Sequence, residues 1–159
     1  MLFRSARKKL FFQAVVSAFL VLASDSIIHS FGNLAGTGDL HPPQLAGILL
    51  TTFCVVGLIN ALNMIDGMDG LAGGVGLVSA IGLAASAHMA GQPQAFQLIS
   101  AFAASIAGFL LFNFRLPWQR QARVFLGDAG SNLVGLALAY FAVLVTQDHS
   151  AGGAALDPI

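Results

Sequence analysis

Asn60-Ala61-Leu62-Asn63-Met64-Ile65-Asp66-Gly67-Met68-Asp69-Gly70-Leu71-Ala72-Gly73-Gly74 sets two amides and two carboxylates between two hydrophobic runs. The chain has only seven acidic residues, all Asp, so two within four positions is a large share. A carboxylate deep in lipid is expensive, whereas one at a bilayer border stays hydrated. The placement therefore predicts a polar site at the mouth of a helix bundle. A second cluster, Phe125-Leu126-Gly127-Asp128-Ala129-Gly130-Ser131, occupies an equivalent border later in the chain.

The residues around these clusters fix the class. Of 159 residues, 57% are hydrophobic and 9% charged, where a soluble domain carries roughly 25% charged. Five stretches, near 11–29, 44–62, 71–89, 95–113 and 130–147, are long enough to cross about 30 Å of hydrocarbon as helices. The expected fold is all-α: a polytopic membrane helix bundle with about five transmembrane helices, forming one transmembrane domain over 1–159. The single cysteine, Cys54, excludes an intramolecular disulfide framework and reads as a small apolar core residue. No internal repeat is present.

The chain starts with Arg4, Arg7, Lys8 and Lys9 before an apolar run from Phe11 to Ile28. That run exceeds the usual 7–15-residue apolar region of a leader peptide, so it is read as a first span rather than a cleaved signal. Asp25, His29 and His88 read as interfacial polar residues. Gly76 and Gly82 read as helix-packing positions. Gly67 and Gly70 lie between carboxylates and mark a helix break. Arg115, Arg120 and Arg123 make the loop before the last span basic, and Trp118 sits where an interfacial anchor would. Four Lys and Arg precede the first span and three lie between the fourth and fifth, which accounts for all seven. Five alternating crossings put them on one side, which the positive-inside rule makes cytoplasmic, with the N-terminus. The same alternation brings Asp66, Asp69 and Asp128 to that side. Localisation follows as a multi-pass protein of the inner (plasma) membrane; nothing suggests nucleic-acid binding.

Asn60, Asn63 and Asp66 step by three and stay on one face of a helix. Their amides both donate and accept hydrogen bonds, which suits a nucleobase or sugar. Two or three carboxylates at a hydrated mouth suit a hard divalent cation, and magnesium is commonly held by one or two carboxylates plus substrate phosphates. Ion pathways also use membrane carboxylates, so these residues alone leave phosphate–metal chemistry and ion conduction equally open. Clustering at one border, rather than at mid-span, weighs against a carrier.

The stretch from Asn60 to Ala72 resembles the signature of the polyprenyl-phosphate N-acetylhexosamine-1-phosphate transferases, the glycosyl transferase family 4 type. Phe125 to Ser131 resembles that family's second signature, and Lys9-Leu10-Phe11-Phe12-Gln13 resembles its entry to a span. The resemblance implies a reaction in which a sugar-1-phosphate passes from a UDP-sugar to a polyprenyl phosphate at the cytoplasmic leaflet, releasing UMP, with Mg2+ as cofactor. It implies Asp128 as the magnesium ligand and Asp66 in the catalytic centre. Asn63 and Asp69 would border the nucleotide, Phe125 would stack near the uracil, Gly127 would permit close backbone approach, and Asn60 would assist. The variants around Asp66 and Asp128 look more like the N-acetylglucosamine-type enzymes of envelope polysaccharide synthesis than the muramoyl-pentapeptide ones. A homodimer is compatible with the family.

Two departures accompany the match. The sequence contains no Asp-Asp dipeptide, and its only histidine after the fifth span is His149, where the family has an Asp pair on an earlier helix and a His-containing cytoplasmic loop. The chain thus resembles the central part of a longer transferase. The expectation is retained affinity for magnesium and UDP-sugar with little or no turnover by this chain alone; a non-enzymatic remnant or membrane assembly partner is the alternative.

Overall fold

The computed structural model describes residues 6–24, 26–31, 40–114 and 121–147. Arg4, Asp25, Arg115, Trp118, Arg120 and His149 lie outside them. Five helices follow one another: α1 (Ala6–Ala23), α2 (Gln44–Ile65), α3 (Leu71–Met89), α4 (Pro93–Asn113) and α5 (Gly127–Gln147). No strand occurs among the described residues. The fold is an all-α polytopic membrane bundle.

The helices α2 to α5 are each long and apolar enough to cross a membrane. Large apolar side chains cover their outer surfaces; Phe53 is 74% exposed and Val78 72%. Such a surface suits hydrocarbon and not water. Cys54 also faces outward, so the core position expected for it is corrected: it sits on the lipid-facing side.

The first span differs from the expected 11–29. The helix begins at Ala6, because Arg and Lys are good helix formers, and it ends at Ala23. At its end the Ser24 backbone N–H and hydroxyl both donate to the Leu20 carbonyl, and Ser24 Oγ lies 2.9 Å from Ser26 Oγ. From Leu10 onward α1 is only about 21 Å long at 1.5 Å per residue, short of a full hydrocarbon crossing. The chain continues as a non-helical stretch over 26–31. Backbone amides there find side-chain partners: Ile28 N–H donates to Thr51 Oγ1, and His29 and Ser30 N–H donate to Gln147 Oε1. Irregular backbone at membrane depth survives only when satisfied in this way.

The packing order is not the chain order. α2 packs on α1 and α5, while α3 packs on α4 and α5, so the last helix returns to the middle. Small residues line the α3–α4 seam, with Ala80, Ala84, Ala87, Ala95 and Ala103 buried, allowing close approach without a hydrophobic driving force. Gly76 instead lets α3 approach α5, since a Cβ there would lie 2.9 Å from Val134 Cγ1; Gly82 faces open space and packs against neither. At Gly135 the α2 and α5 backbones nearly touch, because a Cβ would come 2.7 Å from the Ile59 Cα.

Candidate active site

The alternation of helices gathers one polar end from five termini: the starts of α1, α3 and α5 and the ends of α2 and α4. Asn63 ties three helices together there. Its Nδ2 donates to Asp128 Oδ1 at 3.1 Å and Ser131 Oγ at 2.9 Å, and its Oδ1 accepts from Lys9 Nζ. Ser131 is fully buried and donates onward to the Gly127 carbonyl. One turn deeper, Asn60 Nδ2 donates to Gln13 Oε1 at 2.9 Å and to the Val56 carbonyl. Gln13 Nε2 reaches Asn132 Oδ1 at 3.4 Å. The three-residue step from Asn60 through Asn63 to Asp66 therefore does line one face, turned toward α1 and α5.

Asp66 caps the C-terminus of α2, and the backbone N–H of Gly127 donates to its carboxylate. Burial pushes the Asp66 carboxyl above the ordinary range, the Asp128 charge pushes it further, and the Gly127 hydrogen bond opposes both. Two carboxylates from segments some sixty residues apart thus share one electrostatic site. Asp128 lies in the first turn of α5, where the helix dipole favours an anion. Among the described residues no group of three His, Cys, Asp or Glu side chains gathers at one place. The Asp66–Asp128 pair is the donor set present. Its mutual repulsion and oxygen-only chemistry fit a hard cation that completes its shell with phosphate oxygens and water.

Asp69 goes elsewhere. The helix stops at Ile65, so the three-residue step breaks and Asp69 lines a separate groove with Gly70, Gly74, Val78 and Phe114. Phe125, 78% exposed, stands free beside the mouth. Gly127 opens α5 with φ +64°. The turn between α2 and α3 depends on Gly70, whose φ is +81° and whose Cβ would collide with the Phe114 ring at 2.2 Å.

The residue that pins this turn was not singled out in the sequence. Asn113, 5% exposed, accepts from Gly70 N–H at 2.7 Å and donates to the Val124 carbonyl at 2.8 Å. It joins the Asp66–Gly70 turn to the segment leading to Asp128. The available signal was a lone amide ending an apolar helix. Lys9, Gln13, Ser131 and Asn132 likewise belong to the network; their polarity near span borders pointed to it, but their partners did not.

The Asp66 shift has a stability consequence. The folded state holds the Asp66 proton more tightly than the unfolded chain does. Stability from this group is therefore greatest below the ordinary carboxylate pKa of about 3.9. It falls as pH rises from there through the raised folded value. Asp66→Asn keeps an oxygen to accept the Gly127 N–H and removes the repulsion. We expect a higher unfolding temperature than wild type at pH 7 without divalent cations, converging near pH 3. A lower unfolding temperature for the variant at pH 7 would show that the carboxylate is stabilising.

The sequence model of glycosyl transferase family 4 matches residues 3–146. The chain is 32% identical over 146 residues to the undecaprenyl-phosphate alpha-N-acetylglucosaminyl 1-phosphate transferase of Yersinia pestis, covering 92% of this chain and 40% of that protein. The protein of the same name from Salmonella typhi is 32% identical over 135 residues, 85% of this chain and 36% of its own length. A phospho-N-acetylmuramoyl-pentapeptide-transferase from Streptococcus pyogenes is 35% identical over 123 residues, 77% of this chain and 33% of that protein. The chain thus spans between a third and two fifths of the length of these curated relatives.

Proposed function

Because the chain belongs to glycosyl transferase family 4, a family of phosphosugar transferases, we propose that its site serves transfer of an N-acetylhexosamine 1-phosphate from a UDP-sugar to a polyprenyl phosphate at the cytoplasmic membrane face. The observation that carries this reading is the meeting of Asp66 and Asp128 at the polar mouth of an apolar bundle. A soluble nucleotide and a membrane-bound acceptor need such a border.

In the proposed reaction an oxygen of the lipid phosphate forms a bond to the sugar-linked phosphorus. The bond from that phosphorus to the bridging oxygen breaks, and UMP leaves with the electron pair. Magnesium, when bound, supplies charge neutralisation of the pyrophosphate and of the leaving UMP; Asp128 is the main protein ligand, with Asp66 beside it. Asn63 gives both amide hydrogens to Asp128 and Ser131, so it positions the Asp128 carboxylate and offers the nucleotide only its carbonyl oxygen. Asp69 lines a groove apart from the Asp66–Asp128 pair and is assigned to the nucleotide side by the family resemblance alone, and exposed Phe125 stacks on the uracil. Asn60 supports the network from one turn below. The N-acetylglucosamine form of the donor is favoured by the relatives named for it.

The test is calorimetric titration of the purified chain with UDP-N-acetylglucosamine, with and without magnesium, beside an assay of UMP release. We expect magnesium-dependent binding of the nucleotide, with UMP release read beside it. A folded chain that binds no nucleotide would overturn the reading in favour of a non-enzymatic remnant. Sidedness is tested separately by cysteine labelling at exposed Gln121 and Met89 in a Cys54→Ala background. Position 121 is expected to react from the cytoplasm and position 89 from outside; the reverse would put the site on the wrong face.

A further inference from the structure

Ser131, at the start of the second turn of α5, is fully buried beneath the polar mouth. Its hydroxyl has one proton and two lone pairs. The proton goes back to its own helix, to the Gly127 carbonyl at 3.0 Å, with the Asp128 carbonyl beside it at 3.4 Å. Helical serines do this routinely, and that bond alone says nothing of function. The lone pair is used differently. It takes an amide hydrogen of Asn63, from α2, at 2.9 Å. The same amide nitrogen donates to Asp128 Oδ1 at 3.1 Å, and the amide oxygen accepts from Lys9 Nζ. With its proton committed, Ser131 Oγ meets Asn63 only as an acceptor. The Asn63 amide is therefore held in one orientation, nitrogen toward α5 and oxygen toward α1.

We propose that Ser131 is a positioning residue for the divalent cation, acting through Asn63 to fix which oxygen of Asp128 faces the ion. The proposal rests on the cation-binding role given to Asp128 under Proposed function. Asn63 occupies Oδ1, which leaves Oδ2 to the cation. The terminal torsion of an aspartate is broad, so the backbone of α5 does not choose between the two oxygens. Asn63 chooses, and Ser131 is its other anchor on α5. The second carboxylate depends on the same hydroxyl. Gly127 stands at φ +64° and its N–H donates to Asp66, while Ser131 holds its carbonyl. Among the described residues no third acidic, His or Cys side chain joins the pair, so an oxygen turned away has no substitute.

The probe is Mn2+ alone, in place of magnesium, because its free and bound forms differ in electron paramagnetic resonance. The purified chain is held in nanodiscs of zwitterionic lipid, which present no anionic surface to the ion. Ser131→Ala is expected to weaken binding roughly tenfold, the low end of the loss seen when partners of metal ligands are removed, because Ser131 acts one contact further out. The zero-field splitting of bound Mn2+ should change with it. Ser131→Thr keeps a hydroxyl, and both affinity and spectrum should return toward wild type. Asn63→Ala removes the intermediary; on that background Ser131→Ala should change Mn2+ affinity by less than about twofold, since effects along one chain of contacts do not add. Should Ser131→Ala fail to fold, Ser131→Cys, similar in volume but weak as donor and acceptor, is expected to show the same loss.

Unchanged Mn2+ affinity and spectrum in Ser131→Ala, with only the unfolding temperature lowered, would make Ser131 a packing residue and overturn the proposal. So would a tenfold loss that persists on the Asn63→Ala background, since the hydroxyl would then act by another route. Adding UDP-N-acetylglucosamine to the same samples separates this role from the reading beneath it. Mn2+ binding that depends on Ser131, without nucleotide binding, defeats the transferase reading alone. Binding of Mn2+ with nucleotide that is indifferent to Ser131→Ala defeats the positioning role alone. A folded wild type that holds Mn2+ in neither condition defeats both.

Discussion

Asp128→Asn is expected to weaken magnesium-dependent binding of UDP-N-acetylglucosamine by at least about 100-fold. Disturbing only the outer supports of a bound metal typically costs 10–100-fold, and this change removes a proposed ligand's charge. Asparagine keeps the shape of the carboxylate and retains an oxygen to accept the Asn63 Nδ2 hydrogen bond seen at 3.1 Å. The fold should lose about 0.3–1 kcal/mol from the missing anion in the first turn of α5. Relief of repulsion on Asp66 offsets part of it. Affinity and stability are thus expected to separate, with binding collapsing while the unfolding temperature changes little. Titration calorimetry and thermal unfolding on one preparation check both. Binding within threefold of wild type would remove Asp128 from the metal site.

The second large effect is expected at Asn113. Its side chain satisfies two backbone groups, the Gly70 N–H and the Val124 carbonyl. Asn113→Ala leaves both without that partner in a buried setting. An orphaned buried group costs about 1–3 kcal/mol, so for two such groups a loss of about 2–6 kcal/mol is expected in denaturant unfolding. The turn carrying Asp66 and Asp69 and the segment carrying Phe125 and Asp128 would also lose their common tie. Nucleotide affinity should fall even though Asn113 touches no proposed ligand. A loss below about 1 kcal/mol would show that the Arg123–Phe112 backbone hydrogen bond holds the segment unaided.

Most of this architecture was legible because hydrocarbon imposes long apolar runs. Helices α2 and α3 start where the apolar runs do, at Gln44 and Leu71, and α4 and α5 start within three residues of the reading. The first span was misjudged because apolarity continues through Ile27 and Ile28, whereas the helix ends at Ala23 and the Ile28 N–H is satisfied instead by Thr51 Oγ1. Asp66 and Asp128 were legible as partners because crossing parity places both at one end. Their shared electrostatics required the packing order, which sets α5 against α2, and no periodicity encodes that order. Asp69 shows the limit of counting by threes: the step holds only while the helix does. Asn113 and Lys9 were legible as polar residues at borders, but a border residue does not announce its partner.

The near-contact of the α2 and α5 backbones at Ile59 and Gly135 would be the pivot of any tilt of α5 against α2. Gly135 lies seven residues from Asp128, about 10 Å along the axis at 1.5 Å per residue. Rocking α5 by roughly 5° about that point would carry Asp128 about 0.9 Å, close to the displacement of about 1 Å that costs 100-fold in positioning chemistry. A pivot at the far end of the helix would double or triple the swing for the same angle. A bilayer too thin for the helices imposes tilt, and here that tilt would act on a short lever arm. Membrane thickness thereby becomes a mechanical input to the geometry of the carboxylate pair, attenuated by where the two helices touch.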